Sequence, residues 1–195
     1  MVWREQMVRA QFDREQVIAD STRLFWQQGF GGSSMQQVCR ATGLNPGSLY
    51  LAFGSKEGLY EEALAHYAER ACATVRQALD AAPSVGEGIC RLLLKMVDES
   101  GRPGYCSCFM IKSQLELSAS ESDLLPLVTR HLEQMEALYA DYLLREHPPA
   151  RAAEYASSLV LQIFGLRVYG YLGRPREVVL AALKLGLSWL PWDPL

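Results

Sequence analysis

The sequence predicts an all-α protein. An N-terminal three-helix helix-turn-helix domain over residues 10–70 joins a C-terminal helical bundle over residues 71–195, with about nine helices in all. Three observations carry this. Apolar residues recur at helical spacing, and no run alternates between turns as a strand would. Helix starts and stops are written out early: Ser34, Asn45 and Ser55 stand at starts, and Gly29, Gly43 and Gly54 at stops. Finally, 49% of the 195 residues are apolar, enough for a substantial core.

The first helix is expected over about Gln11–Gln28, with Val17, Ile18, Leu24 and Phe25 on one stripe and Gly29 as the C-terminal cap. Phe30 then turns back toward the core. Ser34-Met35-Gln36-Gln37 fits a capping box, with Gln37 returning a bond to the backbone of Ser34; Met35, Val38 and Ala41 form the buried face. Asn45 is the only asparagine and stands where a third helix must begin, with Pro46 suited to the first helical position and Leu49 and Phe53 pointing inward. Ser55 caps a fourth helix from Lys56 to near Ala81, which Pro83 ends and which belongs to both halves of the chain. Further helices follow over about Ser84–Ser100, Ser107–Leu117, Asp123–Glu146 (with Pro126 in its first turn), Arg151–Leu172 and Arg176–Leu190.

The charge is not that of a strongly basic protein. Net charge is −3, and the first sixty residues carry six Arg or Lys against five Asp or Glu. Any affinity for nucleic acid must therefore come from placement rather than from a broad positive field. The five cysteines are an odd number, and Met1 to Ala10 has no apolar core of a leader, so a cytoplasmic chain with reduced thiols is expected. The longest apolar run, Ser158 to Leu172, is interrupted by Gln162 and Arg167, so no membrane partner is expected.

The short helix pair has the chemistry of a major-groove reader. Gly47 and Ser48 are small enough for the third helix to sit deep in the groove, and Ser48 can bond a base edge or a phosphate. Leu51 suits a thymine methyl, and Tyr50 reaches a phosphate from the face opposite Leu49. Ser33 and Ser34, with the free N–H groups of the second helix and with Gln36 and Gln37 beside them, suit another phosphate. Asn45 and Pro46 open the reading helix. Lys56 opposes the dipole of its own helix, which makes sense if a phosphate lies at that end.

Over about Arg14 to Tyr67 these residues resemble the tetracycline-repressor (TetR/AcrR) family of transcriptional regulators. The resemblance rests on Gly43-Leu44-Asn45-Pro46-Gly47-Ser48-Leu49-Tyr50, then Phe53-Gly54-Ser55-Lys56-Glu57-Gly58-Leu59-Tyr60, with Val17-Ile18, Leu24-Phe25 and Gly29-Phe30 upstream. There are departures: Pro46 stands where a basic residue is common, Leu51 where histidine is frequent, and Ala52 where a ring is common. Base preference therefore does not transfer from relatives, and the arm Met1 to Arg9, with Arg4 and Arg9, gains weight.

The resemblance implies a ligand-responsive repressor that binds double-stranded DNA as a homodimer on a palindrome, since one helix pair reads only a few base pairs. The expected interface is the stripe Leu159, Ile163, Phe164 and Arg167 with the stripe Val179, Leu183 and Leu187. It also implies a small-molecule site between the central helices, with Met96, Cys108, Met110, Gln114, Tyr139, Tyr142 and Phe164 as candidate lining. Cys106-Ser107-Cys108 is unusual: Cys108 matches a thiol that senses electrophiles or oxidants in certain relatives, and Lys112, one turn further on, would lower a thiol pKa if it faced one. No metal or cofactor is expected. There is no His-Glu-x-x-His, no Gly-x-Ser-x-Gly and no phosphate loop, so no enzyme is expected. Two alternatives remain open from the residues alone: a helical adaptor that does not bind DNA, and a thiol-based redox protein using Cys106 and Cys108.

Overall fold

The computed structural model describes residues 12–120 and 122–192, which form nine α-helices, one turn of 3-10 helix and no strand among the described residues. The chain divides into two compact units, the first ending at His66 and the second beginning at Tyr67. The flanking arm with Arg4 and Arg9 lies outside the described residues.

The first unit holds α1 (Arg14–Gln28), α2 (Met35–Thr42), α3 (Pro46–Phe53) and the start of α4 (Lys56–Asp80). Helix α1 starts later than the apolar pattern predicts, because Asp13 caps it by accepting from the backbone N–H of Gln16. Phe25, Val38, Leu49, Leu59, Tyr60 and Leu64 make the core. The Phe25 and Phe30 rings each meet Tyr60 edge to face at 4.9 Å, so Phe30 does turn inward. Ile18 and Leu24 of the predicted stripe are only half-buried. Their place on the inner face is taken by Ser21 and by Thr22, whose hydroxyl donates to the carbonyl of Ile18 at 2.7 Å.

The second unit contains the rest of α4, then α5 (Val85–Ser100), α6 (Phe109–Ser118), α7 (Leu125–Leu143), α8 (Pro149–Tyr169), the 3-10 turn Gly170–Leu172 and α9 (Arg176–Gly186). One core runs through it: Leu79 of α4, Ile89 and Leu93 of α5, Tyr139 and Leu143 of α7, Leu159 of α8, and Leu183 of α9. Several boundaries differ from the sequence reading: α7 is shorter than Asp123–Glu146 at both ends, α8 stops at Tyr169 rather than Leu172, and three others have a local reason. Helix α6 starts at Phe109 rather than Ser107, whose N–H donates to the Tyr171 hydroxyl at 3.0 Å. Helix α8 starts at Pro149, since proline is at ease in a first helical position. Helix α9 stops at Gly186 rather than Leu190, and the Trp192 indole donates to the carbonyl of Leu187 at 2.8 Å beyond that end.

Candidate nucleic-acid interface

Helices α2 and α3 are short because both ends of each are chemically fixed. Ser34 and Gln37 form the full capping box, with the Ser34 oxygen accepting from the Gln37 N–H and the Gln37 carbonyl oxygen accepting from the Ser34 N–H. Gly43 ends α2 in the left-handed region at φ 72°, where a side chain would be strained. The Asn45 side chain then accepts from the Ser48 N–H at 2.9 Å, and Pro46 occupies the first helical position. Replacing Asn45 with alanine is expected to cost about 1 kcal/mol of stability. Urea unfolding of the two proteins checks this.

Capping fixes the rotation of α3, and the rotation decides what it presents. Leu49 and Phe53 turn into the core. Asn45, Pro46 and Gly47 lie exposed, Tyr50 is half in solvent, and Leu51 is 90% exposed. A leucine that bare on a short, rigid helix has no folding role, since burying it would stabilise by about 2 kcal/mol. Behind α3, Arg14 donates to the carbonyl of Ala52 at 3.1 Å, pairs with Glu62 and stacks on the Phe53 ring at 4.3 Å. Sequence reasoning missed this brace. A cation in the first turn of a helix carries no local signal of a partner 38 residues away.

Three of the residues expected to contact DNA have partners within their own subunit. Ser33 is buried, and its hydroxyl donates to the carbonyl of Gly29 at 2.6 Å, which closes the α1–α2 turn. Gln37 has both ends of its amide engaged, at Ser34 and at the side chain of Gln28, whereas Gln36 lies exposed. Lys56 donates to the carbonyl of Phe30 at 2.5 Å and sits over the Phe30 ring at 4.2 Å. The same helix end carries an anion of its own. The Glu57 carboxyl, bonded by its own backbone N–H and by Ser55, is held below the usual carboxylate range and supplies the anion there.

The candidate ligand residues all lie in the second unit. Met110, Tyr139 and Tyr142 are buried, while Met96, Cys108, Gln114 and Phe164 are half-buried. Gln114 accepts from Thr129, and Tyr142 lies under the guanidinium of Arg145 at 3.9 Å. The Lys112 ammonium is 3.5 Å from the sulfur of Cys106.

The predicted dimer stripes lie largely inside the subunit. Leu159, Val179, Leu183 and Leu187 are buried inside the subunit, and Ile163 and Phe164 are half-buried. Arg167 pairs with Glu99 of α5 at 3.0 Å. The other faces of these two helices carry the exposed apolar residues. On α8 and the turn after it these are Leu161, Val168 and Leu172, with Gly165 between them; on α9 they are Val178 and Leu185 with the exposed Ala181 and Ala182. Among the described residues no helix is long and apolar enough to cross a membrane.

Comparison with known proteins agrees with this geometry. The family model described as bacterial regulatory proteins, tetR family, matches residues 17–63, which span α1 to α3 and enter α4. The HTH-type transcriptional repressor BdcR of Escherichia coli is 29% identical over 137 residues, covering 70% of this chain and 68% of that protein. A cysteine mutant of the TetR family transcriptional regulator CifR, solved with 26-base-pair double-strand operator DNA, is 30% identical, with a TM-score of 0.76 over 93% of this chain and 98% of that one. The reduced form of Escherichia coli NemR, 18% identical, has the same fold with a TM-score of 0.77 over 93% of this chain and 99% of its own. These matches are to regulators and do not favour the thiol-redox alternative. With operator-bound CifR matched over almost its whole length, and with a capped helix pair that holds out Tyr50 and Leu51, the chain belongs to the TetR family of transcriptional regulators.

Proposed function

We propose that this chain is a cytoplasmic, ligand-responsive repressor that binds a palindromic operator as a homodimer, with α3 in the major groove. The bare Leu51 on the capped α3 carries the reading. In the groove it would meet a thymine methyl, with Gly47 and Ser48 admitting close approach and the Tyr50 hydroxyl reaching a flanking phosphate. The N-terminal end of α2, with Ser34 and Gln36, would hold a second phosphate. CifR, solved on operator DNA, supports double-strand DNA as the partner.

The dimer is assigned to the exposed faces of α8 and α9, not to their buried stripes. Leu161, Val168 and Leu172 together with Val178 and Leu185 offer an apolar seam that a two-fold copy would cover. Two reading heads would then meet the same face of the duplex about 34–36 Å apart or at a multiple of that. A small effector that binds one dimer state more tightly would move this spacing.

Selection of bound sequences from random duplexes tests the reading. The expected result is an inverted repeat with a fixed half-site spacing. Because the reading head carries so little net charge, binding should rest on few phosphate contacts. Affinity is expected to fall by roughly a hundredfold or less between 50 and 200 mM salt, measured by gel shift. No enrichment at low salt would sink the DNA-binding proposal and favour an adaptor.

A further inference from the structure

Eleven large apolar or aromatic side chains stand exposed among the described residues, and seven of them lie between Leu161 and Leu185, on α8, the 3-10 turn and α9. A patch so gathered marks a surface that another molecule covers. A residue with no side chain, in the middle of the patch, indicates how close that molecule comes.

Gly165 lies exposed inside α8, one turn after Leu161 and one turn before Tyr169. Other helical glycines are required by their own subunit. A Cβ at Gly86 would stand 2.7 Å from the Pro191 ring, one at Gly88 2.8 Å from the Leu79 side chain, and one at Gly186 2.5 Å from the amide of Gln162. At Gly165 nothing from the rest of the subunit lies within 4 Å of where a Cβ would stand. The backbone does not ask for glycine either, since it is ordinary right-handed helix there. Glycine in a helix interior raises the unfolding constant about fivefold over alanine. Within one subunit nothing offsets that loss.

Leu161, Gly165 and Tyr169 form one i, i+4 row, the kind of ridge that packs into the groove of a facing helix. With its middle side chain missing, the ridge has a gap that admits a second backbone. The charge on this face selects what enters. Every exposed residue from Leu161 to Leu172 is uncharged, because Arg167 is turned in toward Glu99. Such a face meets its own image without opposing like charges, and it offers no counter-charge to a charged partner.

We infer that Gly165 is the point of closest approach between α8 and the α8 of a second copy, so that one absent side chain sets how tightly the subunits join. This deepens the proposed homodimer and rests on it. In a two-fold interface any side chain added at the crossing enters twice, once from each copy. The helical stability forgone in each subunit is then recovered in the contact between them.

The test uses the purified full chain, with Gly165→Ala and Gly165→Leu beside the parent. Dimer dissociation is read by sedimentation over a dilution series, and subunit stability by urea unfolding. Alanine should move the two readouts in opposite directions. In the Leu161→Glu, Leu185→Glu background, where the subunits are apart, Gly165→Ala should lower the unfolding constant by about fivefold. In the parent the same change should raise the dimer dissociation constant by at least about tenfold, and Gly165→Leu by at least about a hundredfold. A Gly165→Ala protein that dimerises as tightly as the parent overturns the inference, and so does a Gly165→Leu protein within about tenfold of it. Either result leaves the homodimer standing. A parent that sediments as a monomer at every concentration sinks the homodimer reading and this inference with it.

Discussion

Replacing Leu51 with glutamate is expected to weaken operator binding by about a hundredfold or more while leaving the fold intact. The side chain is 90% exposed, and leucine and glutamate are similar helix formers, so stability should change by no more than about 0.5 kcal/mol. In the groove the same change puts a carboxylate among phosphates and loses the methyl contact. Like charges brought together cost several kcal/mol, and each 1.4 kcal/mol is about tenfold. The neighbour two positions back makes the control. Leu49 is buried, and Leu49→Ala should cost about 2–5 kcal/mol of stability. Gel shift and urea unfolding on both variants separate the roles. If Leu51→Glu binds the selected operator like the parent, α3 does not read the groove.

The two residues also show what the sequence makes legible. Ser34, Asn45 and Pro46 act within one turn of chain, so their caps can be read from spacing and are present as read. The rotation of α3 follows, and with it the burial of Leu49 and Phe53. Contacts that join distant residues leave no such mark. Arg14 braces α3, Lys56 lies on Phe30, and Arg167 meets Glu99 across 68 positions. The faces of α8 and α9 are hard to read for a different reason. Both helices are apolar on more than one side, so periodicity marks two stripes and does not say which one the subunit buries. Arg167 stands on the stripe expected to face a partner, yet only 16% of its side chain is exposed and it pairs with Glu99 of α5.

The double change Leu161→Glu with Leu185→Glu is expected to turn the proposed dimer into a folded monomer. Both leucines project into solvent, at 70% and 83% exposure, so neither should cost the subunit much. In a two-fold interface each appears twice. Four leucines burying even about 1.5 kcal/mol apiece would supply roughly 6 kcal/mol, and introduced carboxylates add repulsion. Dimer dissociation should therefore rise by at least about a thousandfold. The effect on DNA follows from geometry. Two linked heads gain about 10²–10⁴ in avidity over one, so the monomer should lose about that factor on a palindrome and little on an isolated half-site. Leu183→Glu is the contrast: Leu183 is buried within the subunit, and a carboxylate there should unfold the protein rather than split it. Sedimentation beside thermal unfolding distinguishes the three proteins. A double variant that still sediments as a dimer would move the interface off these faces, and with it the route by which an effector in the second unit could set the spacing of the reading heads.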